Sequence, residues 1–139
     1  MNNYNINEIY VGLKETFNVI VNQQMVDLFV SLCGDTNPLH TDFAYAQSKG
    51  FLNKVVHGLL SSSFYSKLVG VYLPGKNSLL HGIDVTFRKP VYVGDKLSVT
   101  GKVSYINLAY RQIEVDAFIE NQNCIKVSKA VIKTGLIDE

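Results

Sequence analysis

The residues best suited to chemistry lie close together, in Leu32-Cys33-Gly34-Asp35-Thr36-Asn37-Pro38-Leu39-His40. Asp35 supplies a carboxylate and His40 an imidazole, with an Asn-Pro pair between them. Asn before Pro is biased away from the helical basin, and Pro fixes its own φ. The two residues are therefore expected on a bent loop, not on a continuous helix, with both tips free to face one point. An acid–base pair aimed at a single water or substrate atom needs that geometry. Asp, Asn and Pro are also ordinary turn formers. Taken alone, the segment leaves open a second reading, in which Asp35 caps the next helix and His40 packs locally.

The surrounding chain has to hold that segment in place. Lys14 to Ile20 alternates well enough to form a first strand. Asn22 is a helix N-cap candidate, and Met25, Leu28, Phe29 and Leu32 fall at helical spacing, with Gly34 as the stop. That helix delivers Asp35 to the start of a loop. Asp42 can cap a second short helix over 43–49, which Gly50 ends. The longest helical stretch runs from about Gly58 to Tyr72 and is apolar or small on most faces, which predicts a buried helix. Gly58, Ser62, Ser66 and Val69 share one side of it. Small residues there suit either a ligand chain or close packing on a sheet.

Pro74-Gly75 marks a turn. Four strand-like stretches follow, at about 79–89, 96–106, 110–121 and 124–134, with hairpin turns expected at Asn121-Gln122-Asn123 and Gly94-Asp95. Short turns between consecutive strands favour an antiparallel sheet, and one strand, then helices, then four strands gives an α+β class. The 139 residues fit a single domain, 1–139, with a core over about 15–135 and residues 1–12 as a flexible end.

Composition narrows the function classes. The chain is 47% hydrophobic and 18% charged, with a net charge of +1, so nothing electrostatic points to nucleic acid or an anionic membrane. No apolar run approaches the roughly 20 residues of a membrane helix. The two cysteines, Cys33 and Cys124, have no metal-ligand spacing; with no signal peptide read at the start, they are expected as reduced thiols in a cytoplasmic protein. There is no Gly-rich phosphate motif of Walker or Rossmann type and no metal-ligand cluster, so neither a redox nucleotide nor a metal is expected.

Four segments together carry a family likeness. They are Gly34-Asp35-Thr36-Asn37-Pro38-Leu39-His40 with Ala46 after it, Val56-His57-Gly58-Leu59-Leu60-Ser61-Ser62-Ser63, Tyr72-Leu73-Pro74-Gly75, and Phe87-Arg88-Lys89-Pro90-Val91-Tyr92-Val93-Gly94-Asp95. In this order they resemble the (R)-specific enoyl-CoA hydratases, which are MaoC-like dehydratases of the hotdog-fold superfamily. The resemblance spans about residues 15 to 135. It implies an antiparallel sheet wrapped around one long helix, with an overhanging segment that carries the catalytic loop.

The resemblance also implies roles. Asp35 and His40 would hold one water and act as an acid–base pair on trans-2-enoyl thioesters, giving (R)-3-hydroxyacyl thioesters. The Gly58 N–H would receive the thioester oxygen. Asn37 would fix the loop and His57 would hold its neighbours in position. Ser62, Ser66 and Val69 would line the acyl pocket. Coenzyme A is the favoured carrier over acyl carrier protein, and it enters as part of the substrate, with no separate cofactor. The assembly implied is a homodimer. Cys33 has no part in this chemistry, which needs no covalent intermediate. Arg88 and Lys89 read as a solvated sheet rim, with contact to the anionic groups of coenzyme A as the rival reading, and His81 reads as structural. Two other functions stay open on the same fold: a thioesterase, and a non-catalytic acyl-binding or dimer-partner module.

Overall fold

The computed structural model describes residues 1–137. The elements are β1 (Lys14–Ile20), α1 (Gln23–Cys33), α2 (Pro38–Thr41), α3 (Phe43–Ser48), α4 (Gly58–Lys67), β2 (Ser78–Phe87), β3 (Lys96–Asn107), β4 (Gln112–Glu120) and β5 (Lys126–Leu136). The helix α4 runs on without a break into a wider π turn, Leu68–Tyr72. All five strands form one sheet in the order β1-β3-β4-β5-β2, and every neighbouring pair is antiparallel.

The alternation of apolar and polar residues explains the layering. On β4, Ile113, Val115, Ala117 and Ile119 are buried, and the intervening residues face outward. On β5, Ala130 and Ile132 do the same. A period of two places all of these on one face. That face packs on Leu60, Tyr65, Leu68, Val69 and Leu73 of the helix and its π turn. Burying a large apolar side chain completely contributes about 1.5–3 kcal/mol, and the helical segment inserts several. The approach is close: a Cβ on Gly101 of β3 would lie 2.7 Å from Leu68 Cδ2.

Three features differ from the sequence reading. The helix is not buried all round: Leu59 is 70% exposed, and Ser63, Ser66 and Lys67 also face outward, because the sheet covers only one side of it. Gly94-Asp95 is a turn but not a hairpin. β2 lies at one edge beside β5, so the chain from Phe87 to Lys96 has to cross the sheet to reach β3. Asp95 holds that crossing, since its Oδ2 accepts from Tyr92 N at 2.9 Å and its carbonyl accepts from Val21 N at 3.0 Å. Residues 1–12 are packed down: Ile6 and Ile9 are buried in the core, and Asn2 N donates to Val71 O at 2.8 Å. The Asn121–Asn123 turn does join β4 to β5 as a hairpin.

Candidate active site

Local sequence rules build the corner that holds Asp35 and His40. Asn22 Oδ1 accepts from Met25 N and starts α1. Gly34 ends it in the left-handed conformation, at φ 77°, and its N–H donates to Val30 O at 2.8 Å. Glycine adopts that conformation at no steric cost, and it turns the chain out of the helix. Asp35 follows on the loop. Its Oδ1 accepts from Asn37 N at 3.1 Å, and Asn37 Oδ1 accepts from Leu39 N at 2.9 Å. Asn37 is thus the N-cap of α2, with Pro38 as its first residue, the helix position where proline is best tolerated. The bent loop expected from the sequence therefore holds Asp35 only. His40 stands on the one-turn helix that Pro38 starts.

The two side chains meet in a defined protonation geometry. His40 Nδ1 lies 2.6 Å from the Val55 carbonyl. A carbonyl can only accept, so Nδ1 carries the proton and the Nε2 of a neutral ring presents its lone pair. That nitrogen lies 3.9 Å from Asp35 Oδ2. Two acceptors at this separation do not bond to each other, but one water can donate to both. Asp35 is 48% exposed along its side chain, and His40 is only 15% exposed. The carboxylate therefore meets solvent while the imidazole is sheltered.

His57 supports this corner from below. It occupies the N-cap position of α4 and is 2% exposed. Its ring stacks on His40, with centroids 3.9 Å apart and 27° between planes, and Phe29 packs against it at 4.8 Å. His57 Nε2 lies 3.0 Å from the Asp35 carbonyl, to which it donates, and its buried Nδ1 has no partner. Asp35, His40 and His57 place one ligand-type atom each within 4.8 Å of the others. His40 Nδ1 is taken by the Val55 carbonyl and His57 Nε2 by the Asp35 carbonyl, which leaves His40 Nε2 and Asp35 Oδ2 as the open atoms that face each other.

Gly58 opens α4 directly after His57. The first N–H groups of a helix have no acceptor within the helix and carry its positive dipole end. The approach here is tight: a Cβ on Gly58 would lie 3.0 Å from Cε1 and Cζ of Phe87. Asp35, His40, His57 and Gly58 all border one cavity of about 680 Å³, walled mainly by Phe29, Phe51, Val55, Val91 and Val127. Leu59 and Phe87 stand at its exposed side, and Arg88 and Lys89 at its rim. Cys33 also borders it as an exposed free thiol.

The three small residues read as acyl lining are placed elsewhere. Ser62 has a buried Oγ without a partner, Ser66 is exposed, and Val69 is in the core. None borders the cavity; Ser61 does, with its Oγ donating to Gly58 O at 2.8 Å. The cavity follows the first turn of α4 and then the crossing after β2, not the later helix turns. The sequence reading missed Phe29, Phe51 and Phe87 as walls. Only Phe87 carried a signal, as the residue leading into Arg88-Lys89-Pro90.

The sheet, the helix laid across it and the Asp–His corner above that helix's N-terminus define the hotdog class. Comparison with known proteins agrees. Residues 9–123 match the family described as MaoC like domain, and the chain belongs to that family. It is 38% identical over 94 residues to the (R)-specific enoyl-CoA hydratase of Aeromonas caviae, covering 68% of this chain and 70% of that one. To the enzyme of the same name from Rhodospirillum rubrum it is 32% identical over 97 residues, covering 70% and 67%. Among solved structures, the (R)-hydratase from A. caviae superimposes with a TM-score of 0.88 at 30% identity, covering 93% of this chain and 98% of that one. An unliganded R-hydratase from Pseudomonas aeruginosa gives 0.89 at 28%, covering 96% and 86%.

Proposed function

We propose that this chain catalyses the reversible hydration of trans-2-enoyl thioesters, with coenzyme A as the favoured carrier, to (R)-3-hydroxyacyl thioesters. The observation that carries the reading is the pair of acceptors, Asp35 Oδ2 and His40 Nε2, set 3.9 Å apart at the cavity wall. A water held between them can be deprotonated as its oxygen bonds to C3. The C2–C3 π electrons then move toward the thioester oxygen, which accepts from the Gly58 N–H at the helix end, where negative charge is favoured. The proton taken from water returns to C2 on the same face. Every step is a proton transfer or an addition, so the mechanism calls for no metal or redox cofactor. Asn37 holds the loop, and His57 holds both members of the pair through Asp35 O and the His40 ring.

The test is crotonyl-CoA followed at the enoyl absorbance, with a thiol reagent alongside and chiral analysis of the product. Loss of absorbance without free thiol, giving the (R) alcohol, is the expected result. Release of thiol would make the chain a thioesterase, and no turnover with retained binding would make it an acyl-binding module.

A homodimer belongs to the same proposal. Its support is the free edge of β2, where Leu79, Ile83 and Phe87 are 49%, 42% and 50% exposed. An apolar unpaired edge is a template for a second strand, and a twofold pairing of β2 with its copy would cover Phe87 at the cavity. Sedimentation at micromolar concentration decides it. Among the described residues no helix is long and apolar enough to cross a membrane. A cytoplasmic location is part of the proposal, supported by the two free exposed thiols.

A further inference from the structure

The cavity carries two cations that hydration does not use. Arg88 and Lys89 both border it, on the crossing that follows β2. Their backbone is fixed at both ends: Arg88 N and Lys89 N donate to the same Val127 carbonyl at 2.8 and 3.2 Å, and Val91 O accepts from Val56 N at 2.8 Å, one residue before His57. The rim is thus tied to β5 on one side and to the start of α4 on the other. Among the described residues neither cation forms an ion pair. Arg88 also borders a shallow outer groove with Asp84 and Asp116, and still pairs with neither. Among the described residues, the only other charged one on the cavity wall is Asp35, which the proposed chemistry occupies.

This inference rests on the thioester reading above. The acyl part and the thioester are uncharged, so cations at the rim do nothing for the reacting end. The arm that carries the acyl group in both coenzyme A and acyl carrier proteins is phosphopantetheine, and its phosphate is the one anionic group it always brings. Position fits. The Phe87 ring lies against Gly58, and Arg88 and Lys89 follow it directly, at the wall of the same cavity. Guanidinium binds phosphate bidentately, and an ammonium beside it adds a point charge. We infer that Arg88 and Lys89 form the anchor for the phosphate of the phosphopantetheine arm, and so select carried thioesters over free ones.

The test compares wild type with the double substitution Arg88→Gln, Lys89→Gln on three crotonyl thioesters: coenzyme A, 4′-phosphopantetheine and pantetheine without phosphate. Wild type is expected to prefer the phosphorylated arm to pantetheine, and the double variant to lose that preference by about 10- to 100-fold in kcat/KM, the usual worth of hydrogen bonds to a charged group. The loss should lie in KM, and the wild-type preference should weaken with salt. Thermal melts verify that both exposed positions tolerate the change. Crotonyl-loaded acyl carrier protein, run alongside, identifies the source: a fall on one carrier alone names it, and a fall on both shows that the shared arm is read. An equal phosphopantetheine-to-pantetheine ratio in both proteins would overturn the assignment. So would a loss seen with coenzyme A but absent with phosphopantetheine, which would put the cations against the nucleotide. If wild type hydrates none of the thioesters, the earlier reading fails and this inference falls with it.

Discussion

The helix α4 and its neighbours hold two polar pairs, and they are built in opposite ways. Tyr65 and Ser128 lie in the core, both almost fully buried, and their hydroxyls meet at 2.8 Å. Burial pushes the Tyr65 phenol up to about 12, with the Ser128 hydrogen bond pulling weakly the other way. Asp35 and His40 stand at the helix's N-terminal end, 3.9 Å apart, with their outer bonds satisfied and their facing atoms left open. The closed pair holds the helix to the sheet. The open pair leaves room for one molecule. Asp35 is open to solvent and His40 is sheltered, so the space between their facing atoms suits a water, which is the substrate of the proposed hydration.

The largest effect should come from disabling the open pair. Asp35→Asn and His40→Gln are each expected to lower hydration kcat by about 10²–10⁴-fold, the usual scale for a positioned acid or base. Asp35→Asn should hardly move the melting temperature, since Asp35 is half exposed and its bond to Asn37 N is local, while His40→Gln also gives up the bond to Val55 O and should lower it modestly. Near wild-type kcat in either folded variant would remove that residue from the mechanism.

Gly58→Ala tests the same corner without touching a titrating group. The new methyl would press on the Phe87 ring at 3.0 Å, so the ring or the helix start must shift. A misplacement on the order of 1 Å can cost up to about 10²-fold in rate. Alanine is also the better helix former, so stability should hold or rise while kcat falls. Shrinking the ring with Phe87→Leu in the same chain should restore part of the rate. Full activity in Gly58→Ala alone would mean that the Phe87 ring gives way and the helix start stays in place.

How far the sequence revealed this arrangement depends on the range of the forces involved. β1 lies at Lys14–Ile20 as alternation predicts, and the Asn22, Gly34 and Asp42 caps all hold, because each is decided within a few residues. Asp35 and His40 were legible for the same reason, although Pro38 starts a helical turn under His40 where the sequence suggested a plain loop. The position of β2 beside β5 was not legible, because pairing across the sheet leaves no local mark. The cavity wall was not legible either. Phe29, Phe51, Phe87 and Val127 come from separate parts of the chain, and only the crossing after β2 brings them together. Ser66 and Val69 look alike on a helical projection, yet one faces outward and the other lies in the core, since which side the sheet covers is a tertiary fact.

The closed pair predicts the reverse pattern of the open one. Tyr65→Phe leaves the Ser128 hydroxyl buried without a partner, and Ser128→Ala does the same to the phenol. Each should destabilise by about 1–3 kcal/mol, and the double substitution by less than the sum, since removing both partners leaves nothing unsatisfied. Urea unfolding measures it, and kcat at 25 °C should stay near wild type in all three.

The smallest effect is in alkali, and it separates the pairs by sign alone. The Tyr65 phenol sits near 10 in the unfolded chain and about 12 in the folded one. A folded value raised in this way means that its contribution to stability is fully present below pH 10. Between pH 10 and 12 the unfolded chain releases this proton and the folded chain keeps it. Unfolding is then favoured by rising pH, and the contribution is lost as pH climbs toward the folded value. Wild type should therefore lose stability more steeply across that window than Tyr65→Phe, which has no proton to release there. The comparison cancels the other tyrosines and the lysines, which both proteins share. Urea midpoints at pH 9, 10 and 11 provide the reading. Parallel slopes for the two proteins would mean that the Tyr65 hydroxyl is not held in the dry, bonded state that sets it apart from the open pair at the cavity.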